Sequence, residues 1–150
     1  MKRNIANTFT KGNIIVHYDD DDYYSPDSLK YRINSLVNYD CVYCSEITCF
    51  NTFNQKYFLK GDENCISEAT MAYYKHVWEK NKFNNYDIEE EGNHFISNIK
   101  SKIINSDNII ISLFHSNNSS ITLNQKYIEL NKKLNDDIIT QINNIKNESN

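Results

Sequence analysis

Ile109-Ile110-Ile111-Ser112-Leu113-Phe114 is the stretch on which the fold turns. It opens on the unbroken apolar run Ile109-Ile110-Ile111 and is apolar on nearly every face. Ser106 or Asp107 stands before it as a helix cap. A helix that is apolar all round belongs in the middle of a bundle, enclosed by helices with one apolar stripe each.

The flanking sequence supplies such stripes. Ser25-Pro26-Asp27-Ser28 reads as a helix start, with Ser25 as cap, Pro26 at the first helical position and Asp27 complementing the positive end of the dipole. Leu29, Ile33, Leu36, Val37, Cys41 and Cys44 then recur at three- and four-residue spacing, which predicts an amphipathic helix of about 15–18 residues. A second helix is expected over Phe50, Phe53, Tyr57 and Phe58, with Gly61 ending it. A third follows Ser67 with Thr70, Tyr74, Val77 and Trp78, and a fourth carries Phe95, Ile96, Ile99 and Ile103. Beyond the apolar segment, Leu123, Tyr127, Leu130 and Leu134 mark one more helix, and Ile138, Ile139, Ile142 and Ile145 the last. The β-branched patch Ile14-Ile15-Val16 favours a strand but is too short to exclude a helical turn.

The expected architecture is therefore all-α, with about seven helices around a central apolar one. Residues 1–18 read as an N-terminal extension, 19–146 as the helical domain and 147–150 as a polar tail. A chain of 150 residues is one domain that buries a core without metal or disulfide staples. Its 39% hydrophobic and 24% charged composition excludes a disordered tail. With 3 glycines and 1 proline it is a poor match to phosphate-cradling loops, where backbone must come close to the ligand. A net charge of −4 argues against nucleic acid as partner. No stretch approaches the span of a bilayer, and no membrane anchor is expected at Ile145-Lys146-Asn147-Glu148-Ser149-Asn150.

Cys41-Val42-Tyr43-Cys44 has the spacing of a redox or zinc half-site, but the other half is missing, and Cys49 and Cys65 do not supply it. Buried core thiols are the simpler reading. His17, His76, His94 and His115 form no ligand-like pair, and no serine sits in a nucleophile elbow. No catalytic residue, cofactor or metal is expected, and the chain does not read as an enzyme.

Several of these segments resemble the poxvirus Bcl-2-like immune-evasion family. Ile14-Ile15-Val16-His17-Tyr18, the acidic run Asp19-Asp20-Asp21-Asp22 and Ser25-Pro26-Asp27-Ser28-Leu29 follow one another as at that family's start. Glu91-Gly92-Asn93-His94-Phe95-Ile96 is similar to its middle-helix motif, and Leu134-Asn135-Asp136-Asp137 to its closing segment. The resemblance spans about residues 13–146 and implies a Bcl-2-like fold. It also implies a viral protein in the host cytoplasm that inhibits innate immune signalling, through NF-κB activation or interferon induction. Its partners would be host adaptors, kinases or helicases. The alternative it leaves is an apoptosis inhibitor that holds pro-apoptotic helical proteins in a surface groove.

Partner contacts are expected at Asp19, Asp20, Asp21, Asp22, Tyr23 and Tyr24, where acidic side chains steer a basic partner and the tyrosines anchor it. The resemblance adds a homodimer through the first and sixth helices, with Tyr31, Tyr39 and Tyr127 on that face. A further expectation follows from the bundle with Ile109 to Phe114 enclosed and Leu29, Ile33, Phe95 and Ile99 lining the core. Ile110 belongs to the core, so Ile110→Asp should abolish folding, because an unpaired buried charge costs several kcal/mol against a total stability of about 5–15. Circular dichroism of the variant checks this.

Overall fold

Cys41-Val42-Tyr43-Cys44 does not continue a helix; it is a strand with all its residues buried. The computed structural model describes residues 2–84, 91–115, 128–130, 138–142 and 144. In chain order the elements are α1 (Lys2–Phe9), β1 (Ile14–Val16), β2 (Tyr23–Tyr24), α2 (Ser28–Ser35), β3 (Cys41–Cys44), β4 (Glu46–Asn51) and β5 (Lys56–Gly61). There follow β6 (Ser67–Tyr74), α3 (Lys75–Lys80), α4 (Glu91–Ile96), β7 (Ser101–Ile103), β8 (Ile110–Phe114) and β9 (Ile128–Leu130). Residues 138–142 are helical, α5. The strands form two sheets, ordered β1-β6-β3-β7 and β2-β8-β4-β5-β9. The fold is mixed α/β, and the expected all-α, Bcl-2-like bundle is wrong.

Each reversal has a local cause. Ile109 to Leu113 is buried as expected, apart from half-buried Ser112, but as β8, a strand parallel to β4 and antiparallel to β2. Three successive β-branched residues fit a pleated sheet better than a helix. α2 stops at Ser35 because Asn38 takes a left-handed conformation (φ 69°) and the Tyr39 N–H turns back to the Leu36 carbonyl. The segment read as the second helix is the hairpin β4–β5. Its tip is held by the Asn51 carboxamide, whose Oδ1 accepts from the Phe53 and Asn54 N–H groups at 2.9 and 3.3 Å. The third expected helix is β6 up to Tyr74, and only Lys75–Lys80 is helical. α5 falls where a helix was expected and Ile14–Val16 is the strand its side chains favoured, but the fourth expected helix is helical only through Ile96, and its Ile103 lies in β7.

Strand alternation then builds three apolar layers. Val42, Cys44 and Ala72 of the first sheet meet Ile47, Cys49 and Ile110 of the second, with Leu36 joining them. The other face of the first sheet carries Cys41, Tyr43, Met71 and Tyr73, packed with Val77, Trp78, Phe83 and Phe95. The outer face of the second sheet carries Tyr23, Phe50, Tyr57, Ile111 and Leu113 with Ile142 of α5. Cys41 and Cys44 thus belong to different layers, so they cannot close on one metal or form one disulfide without the strand being undone.

Residues 2–18 are built into this framework. β1 pairs with β6, and α1 docks through amides. Asn4 Oδ1 accepts from the Trp78 indole N–H at 3.0 Å and from the Phe83 N–H at 3.1 Å, while its Nδ2 donates to the Phe83 carbonyl at 2.8 Å.

The chain crosses from sheet to sheet at Ser45, between β3 and β4, and Gly61 at the end of β5 lies against this crossing. Gly61 has φ +105°, and a side chain there would run into the Ser45 carbonyl. It does not cap a helix, as expected, but admits the crossing strand. Gly61→Ala should therefore lower the unfolding free energy by about 1–3 kcal/mol, read from urea titration of the variant and the parent.

Candidate functional site

α2 faces the opposite way from its apolar pattern. Ser28 and Arg32, one helical turn apart, are turned inward and are both 0% exposed. Leu29, Ile33 and Val37, expected in the core, are 47%, 37% and 64% exposed. Arg32 explains the inversion. Its Nη1 donates to the His17 carbonyl at 2.7 Å, its Nη2 to Ser28 Oγ at 2.9 Å and its Nε to the Ser28 carbonyl at 3.4 Å. The guanidinium carbon also lies 4.4 Å from the centre of the Tyr18 ring and 5.5 Å from that of Tyr24. Burial lowers the pKa of the group, and Tyr18 and Tyr24 oppose that shift. Arginine remains charged in such a setting, so its hydrogen bonds must stay intact and α2 cannot rotate.

The acidic run divides into two halves. Asp19 and Asp20 are exposed, and the Asp19 N–H donates to the Tyr24 hydroxyl at 2.9 Å. Asp21 lies 3.3 Å from His115 Nε2. Asp22 turns inward, where its Oδ1 accepts from the Leu113 N–H of β8 at 2.8 Å. Burial pushes its carboxyl up to about 6, against the pull of the Leu113 and Ser112 donors. Of the tyrosine pair expected to anchor a partner, Tyr23 is a core residue and Tyr24 is half-buried, its hydroxyl donating to the Ala69 carbonyl at 3.2 Å. Asp19 and Asp20 are the exposed residues of the six, and Asp21 is half-buried beside His115.

Tyr31 packs partly against the core between the sheets, and Tyr127 lies outside the described residues. Tyr39 follows α2, and the ammonium groups of Lys100 and Lys102 lie 5.3 and 5.4 Å from its ring centre. The exposed α2 stripe, Arg32 and this lysine pair were missed from sequence. One available signal was the Ser28–Arg32 spacing, which puts a charge on the same helical face as Leu36.

The thiols of Cys41, Cys44 and Cys49 are buried, and burial raises all three, Cys44 to about 11 and Cys49 to about 12. They are neutral and inert at neutral pH. His17 is part of the structure as well: Nδ1 bonds the Glu68 carbonyl at 2.8 Å and Nε2 the Tyr73 hydroxyl at 2.9 Å. A carbonyl only accepts, so Nδ1 carries the proton and Tyr73 donates to Nε2. Burial holds the ring down at about 4. Among the described residues no group of three or more His, Cys, Asp and Glu side chains is placed to hold a metal. No protein-family model matches the chain, and no curated protein matches it either.

These shifts predict opposed pH slopes. Asp22, raised from 3.8 to about 6, contributes stability below its unfolded pKa that is lost as pH rises through 6. His17, lowered from 6.5 to about 4, contributes stability above its unfolded pKa that is lost as pH falls through 4. Between those values the two largely cancel. Asp22→Asn keeps an acceptor for Leu113 and should leave a melting temperature that rises with pH across this window. His17→Gln should leave one that falls. Thermal melts of both variants showing the parent's profile would contradict the assignment.

Proposed function

We propose that the chain is a protein-binding module without catalytic chemistry, and that the outward face of α2 is the surface it offers. The observation that carries this is the inverted helix: Arg32 at 0% exposure beneath Leu29, Ile33 and Val37 at 47%, 37% and 64%. Scattered exposed apolar residues are ordinary, but Leu29 and Ile33 lie one helical turn apart on α2, about 6 Å at 1.5 Å per residue, and Val37 follows just past its end. Such a stripe is the form in which one helix meets another.

The occupant is an amphipathic helix of a partner protein with basic residues beside its own apolar stripe. Asp27 is exposed at the N-terminal end of α2, Asp19 and Asp20 are exposed just after Tyr18, whose ring lies against Arg32, and Lys30 is the one exposed cation of α2 itself. An acidic rim around an apolar centre draws in a basic partner and rejects an acidic one. As the narrower role we take inhibition of host innate immune signalling by docking on an adaptor, kinase or helicase. That role needs a binding face and no particular fold.

The test compares the parent with Leu29→Asp/Ile33→Asp, whose substitutions are exposed and leave the core alone. A photo-crosslinker at Val37 should attach to a basic amphipathic helix of whatever protein the parent captures. The double variant should lose that capture, by the ~2 kcal/mol or more of a hot spot. Capture unchanged in the double variant, or crosslinks only to a second copy of the chain, would overturn the assignment. A reporter of NF-κB or interferon induction tests the narrower role. It should fall with the parent and recover with the variant; a reporter that ignores the parent would remove that role and leave the docking face.

A further inference from the structure

Among the described residues β7 is an edge of the first sheet, paired on one side only, in parallel with β3. Its register sets Cys41 against Ser101, Val42 against Lys102 and Tyr43 against Ile103, and the Ile104 N–H continues the ladder to the Tyr43 carbonyl at 2.8 Å. In a parallel ladder alternate residues turn their main-chain groups to one neighbour. Lys102 is turned to β3, so Ser101 and Ile103 turn their N–H and C=O groups to the open edge. Side chains alternate as well: Lys100 and Lys102 share the face where both meet Tyr39, and Ile103, 49% exposed, lies on the other.

We propose that this edge takes an extended acidic peptide as an additional strand, at a site separate from α2. The main-chain groups of Ser101 and Ile103 would bond the peptide backbone, and its carboxylates would alternate onto the Lys100–Tyr39–Lys102 face. An apolar side chain of the peptide would cover Ile103. Strand addition of this kind takes its affinity from backbone bonds and its specificity from alternate side chains. A second copy is the wrong occupant, because twofold pairing about Lys102 sets lysine against lysine, and like charges directly opposite destabilise a ladder. Lysines also guard edges against any pairing at all. A pure guard would bind no strand of either charge.

Fluorescence anisotropy with a short labelled peptide of alternating glutamate and valine tests the proposal, with a lysine–valine peptide as control. The acidic peptide should bind more weakly as salt rises, and the control should not bind. Lys100→Glu/Lys102→Glu should weaken binding about tenfold or more. Ile103→Pro removes an edge donor without entering the ladder, and should abolish binding while leaving the melting temperature near the parent's. Should Ile103→Pro fail to fold, the lysine pair still decides. Equal binding of both peptides, binding of neither at millimolar concentration, or a dimer broken by Ile103→Pro would each overturn it.

Discussion

A guanidinium taken into the interior without a carboxylate to receive it settles how this chain is put together at one edge. Among the described residues no carboxylate lies within ion-pair distance of Arg32. The group is held by the His17 carbonyl, by Ser28 and by the rings of Tyr18 and Tyr24. Those partners belong to α2 and to the segment that carries the chain from β1 in the first sheet to β2 in the second. One side chain therefore ties both sheets to the helix beside them. Losing any of its bonds would leave a buried charge short of partners, a far larger cost than exposing an isoleucine. The polar requirement wins over the apolar one, and the stripe of α2 is left facing water.

α1 shows the same ordering of forces. Asn4 and Asn7 make its inward contacts, Asn7 donating to the Tyr73 hydroxyl at 2.8 Å, while Ile5 and Phe9 stand exposed. Helices attached to a sandwich through hydrogen bonds keep their apolar residues for other contacts. Among the described helices α2 has exposed apolar residues one turn apart with exposed Asp27 at its start, which is why the proposed binding face is placed there.

The sequence made burial legible in part: Leu29, Ile33, Val37 and Ile103 were expected inside and are exposed. Ile109, Ile110, Leu113, Phe95 and Leu36 were all expected inside and are inside. What misled was period. Leu29, Ile33, Val37 and Cys41 fall four residues apart across a helix, a left-handed turn at Asn38 and a strand, so three conformations imitate one stripe. Glu68-Ala69-Thr70-Met71-Ala72 is rich in helix formers yet lies in β6, where pairing with β1 and β3 outweighs intrinsic propensity. The short-motif resemblance implied a Bcl-2-like bundle, and that fold is not the one observed. Of the acidic run, the exposure of Asp19 and Asp20 was readable as a solvated charge block; the inward turn of Asp22 depends on β8 and was not.

The central claim is the orientation of α2, and thiol labelling reads it directly. Single cysteines placed at Leu29, Ile33, Val37, Ser28 and Leu36 can be mapped by mass spectrometry after brief alkylation of the native protein, beside the buried thiols of Cys41, Cys44 and Cys49 and with half-buried Cys65 replaced by serine. The account predicts fast modification at positions 29, 33 and 37, near the rate of the unfolded chain, and strong protection at 28 and 36. Protection at 29 and 33 with fast modification at 28 would put the apolar stripe in the core and contradict it.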